Sequence, residues 1–210
     1  MSTPVRPADL ERVALCTLSY NPSLMPRWAL GRRSLPRVFL DRDGDGTPVV
    51  TCEGTRPNFL GDWRVDFDQL DLTIDPTCDP VPHGWGSLML GVIFRILRDL
   101  PPGEALGWNG HSMGASDCLI GAFLWKLAGR KLGRVTAFEP GPVGRLGGLL
   151  DGEDVLITRV GDGLDGDPVP IATPRGHPVA VTYLPAQPDW SAKACHELVN
   201  VASALRTAIG

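Results

Sequence analysis

Residues 105–129 read ALGWNGHSMGASDCLIGAFLWKLAG. A short apolar run, residues 105–109, has strand character. Gly110-His111-Ser112-Met113-Gly114 follows, and then an apolar stretch, residues 113–128, that is long enough for a helix and stops at Gly129. A G-x-S-x-G sequence alone carries little information. Placed between a strand and a helix it predicts a sharp turn that strains the serine backbone and lifts its hydroxyl above the edge of a sheet. Such a turn needs small neighbours two residues either side, and Gly110 and Gly114 supply them. The hydroxyl then sits at a helix N-terminus, whose dipole favours developing negative charge.

Outward from this stretch the chain alternates strand-like and helix-like segments. Residues 7–20 read as a helix. Residues 36–40 and 48–52 read as strands joined by an Asp-Gly turn. Asp41, Asp43, Asp45 and Gly46 match the first half of a calcium-binding loop. Its twelfth position is Cys52, where a bidentate Glu is required, so a hairpin is expected. Residues 70–74 are a further strand candidate. Residues 87–100 read as a helix stopped by Pro101-Pro102-Gly103. Residues 134–138, 155–160 and 179–184 read as strands, and residues 191–209 as one C-terminal helix. This alternation predicts an α/β domain around a mostly parallel sheet.

The chain has 210 residues, 25 of them Gly and 20 Pro, which suits one turn-rich domain. Hydrophobic residues make up 43% and charged residues 21%, so a packed core is expected rather than disorder. The net charge of −4 comes with no basic stripe, which argues against a nucleic-acid partner. No apolar stretch is long enough for a membrane-spanning helix. Residues 1–12 carry charges and no apolar signal-like run, so a cytoplasmic location is expected. Five scattered cysteines without a C-x-x-C pair predict free thiols, and neither a disulfide framework nor a zinc site.

A serine nucleophile needs a base and an acid that orients the base. In enzymes built on this kind of elbow the order along the chain is Ser, acid, His. That order excludes His83 and His111 and leaves His177 and His196. His196, beside the last helix, is the preferred base; His177 lies in a Pro-rich turn. The acid should follow the strand at 155–160, where Asp162, Asp165 and Asp167 stand. Asp167 is preferred because Pro168 and Pro170 restrict its backbone, with Asp162 as the alternative. Two backbone N–H groups should bind the oxyanion. Met113 follows the nucleophile, and Thr55 follows the turn at Gly54 after the strand at 48–52.

These pieces resemble the class 3, or fungal-type, lipase family of α/β-hydrolases. Glu53-Gly54-Thr55 resembles that family's Arg-Gly-Thr/Ser oxyanion segment. Asp62-Trp63 with Asp66 resembles the segment that follows it. Val81-Pro82-His83-Gly84-Trp85, Gly110-His111-Ser112-Met113-Gly114 and the run from Thr136 to Gly144 resemble further family motifs in the family's order. Asp167-Pro168-Val169-Pro170 resembles the segment that holds the catalytic acid, and His196 falls where the catalytic His stands. The resemblance implies an α/β-hydrolase fold and cleavage of carboxylic esters through an acyl-enzyme. It implies no metal or organic cofactor, and a small-molecule or lipid ester as substrate. Three features depart from the pattern. Glu53 replaces an Arg, Glu139 intrudes in the strand that follows the elbow helix, and residues 55–66 are too short for a long lid. A small open esterase is therefore expected. The alternatives are a thioesterase, acyltransferase or cell-envelope esterase on the same fold, or a non-catalytic interaction protein on a decayed scaffold. The last draws its support from Glu53.

Overall fold

The computed structural model describes residues 3–21, 29–30, 38–56, 68–161, 176–188 and 190–210. Helix α1 (Ala8–Ser19) precedes strands β1 (Ala29–Leu30), β2 (Val38–Arg42) and β3 (Pro48–Cys52). A short pair, β4 (Asp71–Leu72) and β5 (Val81–Pro82), leads into α2 (His83–Asp99). Then come β6 (Leu106–His111), α3 (Met113–Leu127), β7 (Leu132–Phe138), β8 (Val155–Val160) and β9 (Val181–Leu184). Helices α4 (Ala192–His196) and α5 (Leu198–Ile209) close the chain.

Among the described residues, seven strands form one sheet in the order β1-β2-β3-β6-β7-β8-β9. β1, β2 and β3 pair antiparallel, and every pairing from β3 to β9 is parallel. The mostly parallel sheet expected from the alternating pattern is therefore present. Successive side chains on a strand face opposite ways. On β7, Val135 and Ala137 join the core under α2 and α3, while Phe138 joins the core under α1 and α5. Helices thus cover both faces. α3 is apolar on all sides because it lies between the sheet and α2, and its residues from Met113 to Trp125 are buried.

Two expectations change. The strand expected over 70–74 shortens to two residues outside the main sheet. The single C-terminal helix is two helices, parted at Glu197, whose backbone is extended at φ −76° and ψ 131°. In an unbroken helix the carbonyl of His196 would accept from the N–H of Asn200. Here it accepts from the His111 imidazole at 2.7 Å, and the Asn200 N–H turns to the carbonyl of Glu197 at 2.9 Å. A side chain from the sheet has captured a helix carbonyl. The Asp41 turn is a hairpin, as expected, and Asp43 is ion-paired to Arg12 at 2.7 Å.

Charged groups moor α1 to the sheet. Arg134 grips the buried Asp9 with two bonds of 2.7 Å and Asp154 with one of 2.6 Å. Arg12 donates to the carbonyl of Arg134 at 3.0 Å. The side chain of Asn109 on β6 donates to the carbonyl of Arg12 at 2.8 Å. These bonds fix where α1 ends, and Tyr20 lies at that end.

Candidate active site

Ser112 joins β6 directly to α3 with φ 59° and ψ −129°. This left-handed conformation is costly for a residue with a Cβ, by about 1–3 kcal/mol, and it persists only where the surroundings enforce it. The neighbours do so. A Cβ on Gly110 would collide with the carbonyl of Gly114, and one on Gly114 would collide with Cys52 O and lie 2.7 Å from the carbonyl carbon of Glu53. Only glycines let β6, α3 and the end of β3 meet here. The Ser112 N–H donates to Phe138 O at 2.9 Å, which ties the elbow to β7. The residue is 8% exposed.

The four histidines sit in different settings. His83 opens α2 and pairs with Asp68 at 2.6 Å. His177 accepts at Nε2 from Arg159 at 3.1 Å, and the same Arg159 nitrogen donates to Pro140 O at 2.8 Å. Burial, with the Arg159 charge adding to it, pushes the His177 pKa down to about 4, so the ring stays neutral at pH 7. His196 ends α4, and its ring lies against the ring of His111 with centroids 4.8 Å apart and planes at 43°. His111 immediately precedes Ser112, so His196 stands beside the elbow. Among the described residues no hydrogen bond reaches the Ser112 hydroxyl.

His111 also meets Tyr20 through a 3.0 Å contact between Nδ1 and the phenol oxygen. A carbonyl can only accept. The bond to His196 O therefore places the proton of the neutral ring on Nε2, and Nδ1 accepts from Tyr20. Chain order excludes His111 as the base, and no sequence signal marks Tyr20. Only the position of His111 inside the G-x-S-x-G run marked it.

Met113 is the first residue of α3, so its N–H has no partner within the helix. Thr55 is half-buried after β3, and the residues before it press on the elbow through Gly114. Glu53, fully buried, faces Arg56 at 3.7 Å. Its charge reversal relative to the lipase pattern is thus met three residues later. Glu139 is also buried, at φ 54°, and its carboxylate takes the Val160 N–H at 2.6 Å where β8 ends. The cysteines are all free, and burial pushes the thiols of Cys16, Cys52 and Cys118 up, far from the thiolate form. Asp162, Asp165, Asp167 and most of the short segment at 55–66 lie outside the described residues. No described helix is long and apolar enough to cross a membrane.

No family model matches this chain, and no curated protein matches its sequence. Solved structures do match. A triacylglycerol lipase from Penicillium expansum superposes with a TM-score of 0.61 at 16% identity, over 85% of this chain and 79% of that one. A lipase from Rhizopus microsporus var. chinensis gives 0.63 at 16% identity, over 90% and 78%. A structure described under an unusual buried polar cluster in a family of fungal lipases gives 0.61 at 13% identity, over 96% and 95%. At these identities the likeness is one of fold. The chain has the α/β-hydrolase fold and resembles the fungal class 3 lipases, as its motifs imply.

Proposed function

We propose that this chain hydrolyses carboxylic esters through an acyl-enzyme on Ser112. The observation that carries the reading is the strained Ser112 elbow with the ring of His196 brought beside it. Strained residues cluster at functional sites, and at Ser112 the strain coincides with a side chain able to act as a nucleophile. Ser112 attacks the ester carbonyl while His196 takes its proton, and His196 then returns that proton to the leaving alcohol. Water repeats the cycle to release the acid. Asp167, in the segment after β8, orients the imidazole and stabilises its cation, with Asp162 as the alternative. The N–H groups of Met113 and Thr55 bind the oxyanion. Loss of one such donor typically lowers the rate about 10²–10³-fold. Acyl transfer by this route runs on protein groups alone. The lipases of like fold suggest an acyl-lipid or smaller acyl ester as substrate.

The histidine settings support His196 over His177. The Nε2 lone pair of His177 is already taken by Arg159, which leaves it no lone pair for a serine proton. The pairing of Glu53 with Arg56 gives Glu53 a structural partner and so weighs against a decayed scaffold. A panel of p-nitrophenyl esters and matched thioesters tests the reaction class. The proposal expects ester turnover that Ser112→Ala and His196→Ala each reduce by about 10⁴-fold or more, and that Asp167→Asn reduces far more than Asp162→Asn. A preference for thioesters would move the assignment to a thioesterase. Full activity in Ser112→Ala would overturn it.

A further inference from the structure

We infer that Tyr20 and His111 are positioning residues that hold the base His196 at the elbow by fixing one tautomer of the His111 ring. This rests on the ester-hydrolase reading of the same site. The observations form one chain of bonds. The Tyr20 hydroxyl meets His111 Nδ1 at 3.0 Å, and His111 Nε2 donates to His196 O at 2.7 Å. The rings of His111 and His196 then lie 4.8 Å apart. The Tyr20 hydroxyl also lies so close to Gly54 that any side chain there would strike it. The chain therefore starts one residue from the oxyanion candidate Thr55 and ends on the candidate base.

A neutral imidazole has one donor and one acceptor, and which nitrogen is which depends on its partners. If the proton sat on Nδ1, the Nε2 lone pair would face the carbonyl of His196 across 2.7 Å, a repulsive contact. The Tyr20 hydroxyl offers its proton to Nδ1 and so favours the Nε2–H form. That form captures the carbonyl of His196, diverts it from the Asn200 N–H and parts α4 from α5 at Glu197. His196 consequently ends a short helix instead of lying inside a long one. A catalytic imidazole displaced by about 1 Å loses about 10²-fold in rate, so a bond to its own backbone is a strong lever.

Tyr20→Phe deletes one oxygen and is the variant least able to disturb folding. It is expected to lower kcat about tenfold with KM within about twofold, and to leave the melting temperature within a few degrees. His111→Gln keeps a donor near the Nε2 position but has no tautomers. It should retain more activity than His111→Leu, and adding Tyr20→Phe to it should cost little. Additive losses in the double variant, or unchanged kcat in Tyr20→Phe, would overturn the inference. A measurement without substrate decides the bond chain itself. Long-range proton–nitrogen NMR on protein with ¹⁵N-labelled histidine should find neutral His111 protonated at Nε2, and a mixed population in Tyr20→Phe. An Nδ1–H tautomer in the wild type would overturn it. Wild-type protein that turned over no ester would remove the ester-hydrolase reading, and with it the catalytic purpose of the chain, while the NMR result would stand apart.

Discussion

Ser112 and the four histidines carry the account at the scale of single residues. The elbow was legible in the sequence because the constraint is local: strand, Gly-x-Ser-x-Gly and helix are contiguous, and each glycine answers a contact within the turn or at the end of β3. The hydrogen bonds of His111 were not legible. Tyr20 is 91 residues away and His196 is 85 away, with no spacing rule to join them. His177 gives a separate test. Its folded pKa of about 4 lies below the 6.5 of an unhindered histidine, so the unfolded chain binds more protons between these values. Stability from this group is full above pH 6.5 and is lost as pH falls toward 4. The difference corresponds to about 3 kcal/mol. Urea melts of the wild type and of His177→Gln should diverge between pH 7 and 4.5, the wild type losing more on acidification. Parallel curves would place His177 in an open setting.

At the scale of elements, the question is what holds α1 in place so that Tyr20 reaches the elbow. The grip of Arg134 on Asp9 is buried on both sides, with side chains 8% and 0% exposed. Removing the Asp9 charge takes away two of the three carboxylate bonds of Arg134 and leaves Asp154 as its acidic partner, so the cost lies below the ~3–5 kcal/mol of a buried charge left wholly unpaired. Asp9→Asn should therefore lower the unfolding free energy by about 1–3 kcal/mol in denaturant melts, and an unchanged unfolding free energy would contradict the picture. Most elements were legible from apolar periodicity and from Gly or Pro punctuation. The split between α4 and α5 was not, because no Pro or Gly stands there. The break comes from a tertiary bond to the carbonyl of His196, and local propensity carries no sign of it. Strand β4 shrank for a related reason, since among the described residues it pairs with the two-residue β5 alone.

For the whole molecule, the parallel sheet with helices on both faces brings the ends of β3, β6 and β7 together, and the candidate oxyanion and nucleophile positions lie there. The fold class followed from strand–helix alternation and the family resemblance from motifs in order, yet the acid could not be fixed from either. Three aspartates share one Gly-rich loop, and periodicity does not choose among them. The expectation of an open site rests on the length of the sequence between Thr55 and Asp66. Hydrolysis of a partly soluble short-chain triglyceride should then rise smoothly through its solubility limit. A jump in rate at the limit would mean that an interface activates the enzyme.

The proposed activation of Ser112 by His196 underlies every other assignment at the site. A fluorophosphonate probe tests it most directly, because it reacts with an activated serine whatever the natural substrate. One covalent adduct per chain is expected, found on Ser112 by peptide mass spectrometry, formed rapidly in the wild type and lost in His196→Ala. A wild-type protein that takes up no probe, or an adduct on another residue, would contradict it.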